Sequence, residues 1–329
     1  MTWSTFLRWL LGASSVLAML LYAFILLLDP YEVVPFAPSL ARAPVSTNQR
    51  FSYPALARDA SFDSAVIGTS TMRLLDPEYL DALTGARFVN LAMNSATAYE
   101  QRRIFELFLA GKPAPNIVII GNDGTWCARE PGDLHTFRAF PAWMYDDSRW
   151  NDLLYLFNDQ ALEDAVRLSE VLLGWRAPKY RRDGYRDFTR DFGRYDAARV
   201  RARLYRAPRA RHASDDSRAR ADDPAWRFPL IDELAALLAG VPPTTRIVLM
   251  YPPVHAHYLA NMAVEVRECK GRTHARLAAF ENVIELDYML PSRLIRDEAN
   301  FWDPVHTTSA VARQLERDIA TAVNKRRDD

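Results

Sequence analysis

Cysteine is scarce in this chain: 329 residues carry only Cys127 and Cys269. No Cys/His spacing suits zinc, and the six histidines (His135, His212, His255, His257, His274 and His306) are scattered, so no metal set is expected. The two thiols leave two readings open, a single bridge in an oxidising compartment or a pair of separate buried thiols. Net charge is absent as well. Forty-one Lys and Arg balance 41 Asp and Glu, so no global field argues for a nucleic-acid partner. There is no internal repeat. What remains is ordinary for a packed protein, 49% hydrophobic and 25% charged, and is long enough for one large α/β domain with an appendage or for two domains.

Only one long uncharged stretch exists, residues 9–28, "WLLGASSVLAMLLYAFILLL". As a helix it would span roughly 30 Å, the hydrocarbon thickness of a bilayer. A buried soluble helix is the competing reading. The terminal position and the basic flank favour an anchor, and the nearest small-x-small site, Ala41-Arg42-Ala43, lies far downstream before Pro44. Arg8 precedes the run while Asp29 and Glu32 follow it. Residues 1–8 are therefore expected to be cytoplasmic and the bulk of the chain to lie on the other side. The expected location is a bacterial inner membrane, crossed once, with the C-terminal domain in the periplasm or outside the cell.

Residues 29–58 are rich in proline without a helical period and read as a stalk. Beyond them the chain alternates. Apolar runs at 64–67, 88–91, 117–120, 247–251 and 283–286 predict buried strands. Helical spacing links Ile104, Leu107 and Phe108, then Leu234, Leu237 and Leu238, then Val311, Leu315, Ile319 and Val323, with Thr307 or Thr308 placed to cap the last helix. The pattern predicts a three-layer α/β/α domain with a mostly parallel sheet of about five strands, built from residues 59–141 and 226–329.

Residues 142–225 interrupt the alternation as a helical, Arg-rich insertion. Within 176–220, fourteen Arg and one Lys face six Asp, a local charge of +9. The plain reading is a solvated surface excursion. The sharper one is a lid or groove wall for an anionic polymer or lipid headgroups, with Tyr180, Tyr185, Tyr195 and Tyr205 stacking on sugars.

The first strand runs into "GTST", a Gly followed by three hydroxyl residues at 69–71. Such a run could be only a turn. It could equally expose a nucleophile, Ser70, at the carboxyl end of a strand, where open α/β sheets place their sites. A Ser needs a base. In "NFWDPVHTTSAV", Asp303 lies three residues before His306, close enough to turn back, accept from Nδ1 and leave the other ring nitrogen outward. His255, in "YPPVHAH" at the end of the fourth strand, is the rival base.

A first strand ending in G-x-S-x-x-R and a D-x-x-H before the last helix resemble the SGNH/GDSL hydrolase superfamily. The nearer likeness is to its membrane-anchored extracytoplasmic branch, related to proteins that O-acetylate alginate or peptidoglycan and D-alanylate teichoic acid. The likeness covers residues 59–141 and 226–329 in small blocks, with "GTSTMR" in place of Gly-Asp-Ser. Absence of G-x-S-x-G argues against the other common serine-hydrolase fold. The resemblance implies a Ser70–His306–Asp303 triad and an oxyanion hole from the Ser70 N–H, the second block and the third block. The second block, "VNLAMNSATAYE", has Ala92 and Ser95 where Gly is the family habit, and offers Asn94. The third, "IVIIGNDGTW", offers Asn122 beside Asp123, with Gly121 one place nearer than the family spacing.

Arg73, one turn past Ser70, is expected to pair with Asp123, the alternative being an anionic substrate; His255 could also contact substrate or support the site from behind. The expected activity is that of a serine esterase or O-acyltransferase without cofactor or metal. Its expected partners are an acylated cell-envelope polysaccharide or small ester, a membrane-bound acyl-transfer partner, and the membrane itself through residues 9–28, with no nucleic acid. The competing class is a non-catalytic protein of the same fold that binds or scaffolds an envelope polysaccharide assembly.

Overall fold

The computed structural model describes residues 2–37, 42–112, 114–127, 136–206, 228–260 and 264–328. The chain divides into two compact units, one of Met1–Ala55 with Phe140–Arg182, the other of Leu56–Ala139 with Asp183–Asp329.

The second unit holds a five-stranded sheet: β1 (Ser64–Ile67), β2 (Phe88–Asn90), β3 (Ile117–Gly121), β4 (Arg246–Tyr251) and β5 (Val283–Asp287), in the order β2-β1-β3-β4-β5. Every pairing is parallel, with Val66 opposite Asn90 on one side and Ile119 on the other. Strands covered on both faces read as continuous apolar runs, which is why each expected strand is found, shifted only at its ends. On one face Val66, Ile119, Val248 and Met250 form a buried cluster with Val311, Leu315, Ile319 and Val323 of the C-terminal helix Ser309–Asp328. Each of those helix side chains removes enough apolar surface from water to contribute roughly 1.5–3 kcal/mol before entropy is counted. The intervening Ala65, Ile67, Val118 and Ile120 are equally buried. The helix Ala98–Gly111 packs on β1 and on the helix Pro229–Ala239, completing the third layer.

The order reverses between β1 and β3. In such sheets a crevice opens outside the carboxyl ends of the strands at that reversal. Ser70 follows β1 there, and Asn122 and Asp123 follow β3. Cys127 and Cys269, 142 positions apart, form a disulfide with Cα atoms 5.6 Å apart, which decides between the two readings of the thiols.

The first unit contains the helix Trp3–Leu28, 26 residues with an 18-residue stretch of mean hydropathy 2.3, long and apolar enough to cross a membrane. It begins before the uncharged run and takes Arg8 into its length. The stalk expectation needs correction. Residues 29–58 include a helix, Gln49–Arg58, and bury Tyr31, Val33, Val34, Val45, Phe51 and Tyr53. Their partners are distant: the Tyr31 hydroxyl donates to Asp164 at 3.0 Å, and the Tyr145 hydroxyl donates to the Arg50 carbonyl at 2.9 Å. A segment covered by residues more than ninety positions away needs no local period, so none was visible.

The insertion is likewise split. Residues 142–182 belong with the first unit and 183–206 with the second, while 207–227, including His212 and part of the Arg-rich run, lie outside the described residues. Some of the described basic residues are paired: Arg186 with Asp191, Arg190 with Asp187, and Arg201 with Glu298. Three of the four tyrosines have hydroxyl partners inside the protein, and Tyr205 is exposed. Tyr180 is buried and its hydroxyl accepts from Gln49, Tyr195 donates to the Glu298 carbonyl, and Tyr205 donates to the Glu298 carboxylate.

Candidate active site

The hydroxyl run is divided by function. Gly68 leaves β1 with φ at +154°, and a Cβ there would come within 2.5 Å of the Met72 side chain. Gly121 closes β3 against the same methionine, where a Cβ would come within 2.2 Å. Only residues without side chains let the two strand ends share Met72 between them. Thr69, extended, then caps the short 3-10 turn Ser70–Met72 by accepting from the Thr71 N–H. The Asp123 carboxylate accepts from both Thr69 and Thr71, the latter at 3.3 Å, and from Thr125 at 2.5 Å. Ser70, between the two threonines, points elsewhere.

Its Oγ lies 2.8 Å from Nε2 of His306, and Nδ1 of His306 lies 2.7 Å from Asp303 Oδ2. The other oxygen of Asp303 accepts the backbone N–H groups of Val305 and His306, at 3.0 and 2.9 Å. An ionised carboxylate only accepts, so Nδ1 donates to it, and in the neutral ring the lone pair of Nε2 faces the serine hydroxyl. Burial would raise the Asp303 carboxyl, but the hydrogen bond and charge of His306 and the two backbone donors together hold it below the ordinary 3.8. The loop is closed by Trp302 N–H on the His306 carbonyl at 2.8 Å and by a bridge between Phe301 and Thr307.

His255 is not the base for Ser70. Its backbone N–H donates to the Pro304 carbonyl at 2.9 Å, so it props the loop that carries Asp303 and His306. The ring is buried between Tyr205 and Phe301, at 5.6 and 5.5 Å, and its Nδ1 accepts from the His257 N–H. Burial pushes its pKa below the ordinary value.

Arg73 does not meet Asp123, whose carboxylate is occupied by threonine hydroxyls. Its Nη1 donates to Asn94 Oδ1 at 2.7 Å, and its guanidinium lies over the Phe188 ring at 5.0 Å. A guanidinium can only donate, so this bond sets the Asn94 amide with Oδ1 toward Arg73 and Nδ2 away from it. The turn holding Asn94 sits against the nucleophile turn, because Met93 N–H donates to the Gly68 carbonyl at 3.0 Å. Ser95 has φ at +52°, a left-handed conformation that glycine adopts far more readily than serine. Asn122 is placed differently from the expectation. Its Oδ1 accepts from the Gly124 N–H, and its Nδ2 is fully buried beside the Tyr251 hydroxyl. An amide that water cannot touch cannot reach a substrate oxygen either. Among the described residues the Ser70 N–H, at the head of its turn, has no acceptor.

No family model matches the chain, and no curated protein matches it significantly.

Two residues near the imidazole come from the insertion. Phe188 stands edge-on to His306 with ring centres 5.4 Å apart, and Phe192 lies at 6.3 Å. Their turn is tied to the start of the C-terminal helix by Ser309 donating to Asp187 at 3.4 Å. Val200 and Leu204 of the next helix, Ala197–Arg206, pack against Phe301 and Trp302 of the His306 loop. An apolar pair spaced by four inside a basic run was the only trace of this in the sequence.

Proposed function

We propose that this chain is a membrane-anchored, SGNH-like serine esterase or O-acyltransferase acting on an acylated cell-envelope glycan from the outer side of a bacterial inner membrane. The observation that carries this reading is the continuous set of hydrogen bonds from Ser70 through His306 to Asp303. Ser70 Oγ attacks the ester carbonyl while its proton passes to His306 Nε2, and Asp303 holds the imidazole and stabilises its charged form. The developing oxyanion takes the Ser70 N–H and the Asn94 Nδ2, the donor that Arg73 orients. His306 returns the proton to the leaving alcohol. The acyl-serine is then resolved by water in an esterase, or by a sugar hydroxyl in a transferase. The Cys127–Cys269 bridge suits an oxidising compartment and so supports the location.

The test is labelling of the full chain with a fluorophosphonate, which reacts with activated serines. Labelling that disappears in Ser70→Ala supports the enzyme. Absence of labelling in folded wild-type protein returns the chain to the binding or scaffold class.

A further inference from the structure

A cavity of about 730 Å³ lies beyond the carboxyl ends of β4 and β5. Its volume falls within the ordinary range for small-molecule sites. None of Ser70, Asp303 and His306 lines it. Apolar walls come from Leu259, Met289, Leu290 and Ile295.

The polar groups around those walls are unequal. Lys270 is paired with Asp287 at 2.5 Å, and His274 with Glu285 at 2.9 Å, so these four largely satisfy one another. Arg267 and Arg296 also line the cavity, are exposed, and have no carboxylate partner among the described residues. An apolar chamber with two uncommitted guanidiniums matches a ligand that is apolar along its length and anionic at one end. Guanidinium binds carboxylate and phosphate in the same forked geometry, so either head group meets the requirement.

We propose that this cavity binds a single-chain amphiphilic anion, with its aliphatic chain between Leu259, Met289 and Ile295 and its head group on Arg267 and Arg296. The site does not depend on the catalytic reading, since no reacting group contributes to it. The ligand could be a free fatty acid or a lipid phosphate, and the head group preference tells them apart.

The full chain in nanodiscs of zwitterionic lipid would be irradiated with diazirine-bearing dodecanoate, dodecyl phosphate or dodecanol, and labelled peptides mapped by mass spectrometry. The expected result is labelling of residues 251–260 or 289–296 by a charged probe and not by dodecanol. Preference for dodecanoate identifies a fatty acid, and preference for dodecyl phosphate identifies a lipid phosphate. The double variant Arg267→Gln, Arg296→Gln should reduce this labelling at least about tenfold, the scale of losing even one hydrogen bond to a charged group. Double replacement by Lys should restore part of it. Leu290→Asp, at an exposed rim position, should also reduce it without disturbing the fold. Equal labelling by dodecanol, labelling confined to Trp3–Leu28, or labelling unchanged in both the double Gln and the Leu290→Asp variants, each folded by circular dichroism, would overturn the proposal.

Discussion

Ser70 and His306 stand 236 positions apart in the chain, and the hydroxyl of one lies 2.8 Å from Nε2 of the other. Each belongs to a short turn with independent anchors. Asp123 grips the threonines on either side of Ser70, while His255 and Asp303 brace the loop before His306. The pair is thus set by its surroundings rather than by its own hydrogen bond.

If the two act as one unit, Ser70→Ala, His306→Ala and the double variant should lose ester hydrolysis to a similar degree, about 10³-fold or more, with the double little worse than either single. Rates on a small aryl acetate would show this. Ser70→Ala should melt close to wild type, because little apolar surface leaves the core. Full activity with a sharply lowered melting temperature would make "GTST" a turn only.

Asp303→Asn should preserve the fold and lower kcat by about 10⁴-fold, since an amide can hold the wrong imidazole tautomer. The same variant has a pH signature. The Asp303 carboxyl is depressed below 3.8 in the folded chain, so its contribution to stability is present above that value and lost as pH falls through the lower folded one. The melting-temperature gap between wild type and Asp303→Asn should therefore close as pH falls through the acid range. A gap that widens in acid would contradict the assignment.

Asn94 and Asn122 should separate cleanly. Asn94→Ala should lower kcat by about 10²-fold to 10³-fold with little change in KM, as loss of an oxyanion donor does. Asn122→Ala should mainly lower the melting temperature, because its amide is buried and caps Gly124. Arg73→Met should resemble Asn94→Ala in kcat. The reverse pattern would move the oxyanion donor to Asn122.

The Cys127–Cys269 bridge closes a long loop. Replacing both cysteines by Ser should reduce stability by about 2–4 kcal/mol, measured by denaturant unfolding. Protein purified without reductant should show no thiol reactive to maleimide after unfolding.

A reporter fused after Asp329 should be active only outside the cytoplasm, given Arg8 on one side of the apolar run and Asp29 and Glu32 on the other. Cytoplasmic activity would remove both the orientation and the envelope substrate.

The strands, the C-terminal helix and the apolar N-terminal helix were legible in the sequence because each depends on local composition or a short period. Ser64–Ile67 is buried on both faces and reads so; Val311, Leu315, Ile319 and Val323 keep one helical face. The candidate pair of Asp303 and His306 was legible for the same reason, being three residues apart. What bonds across the fold was not. Asp123 satisfied by threonines rather than Arg73, Asn94 turned by Arg73, Phe188 and Phe192 set beside His306, and the partners of Tyr31 and Arg50 are all pairings between residues far apart in the chain. A hydrogen-bonding side chain states how many partners it needs and not which ones. That choice is made when the folded chain brings distant segments together and packing decides which acceptors lie within reach of each donor.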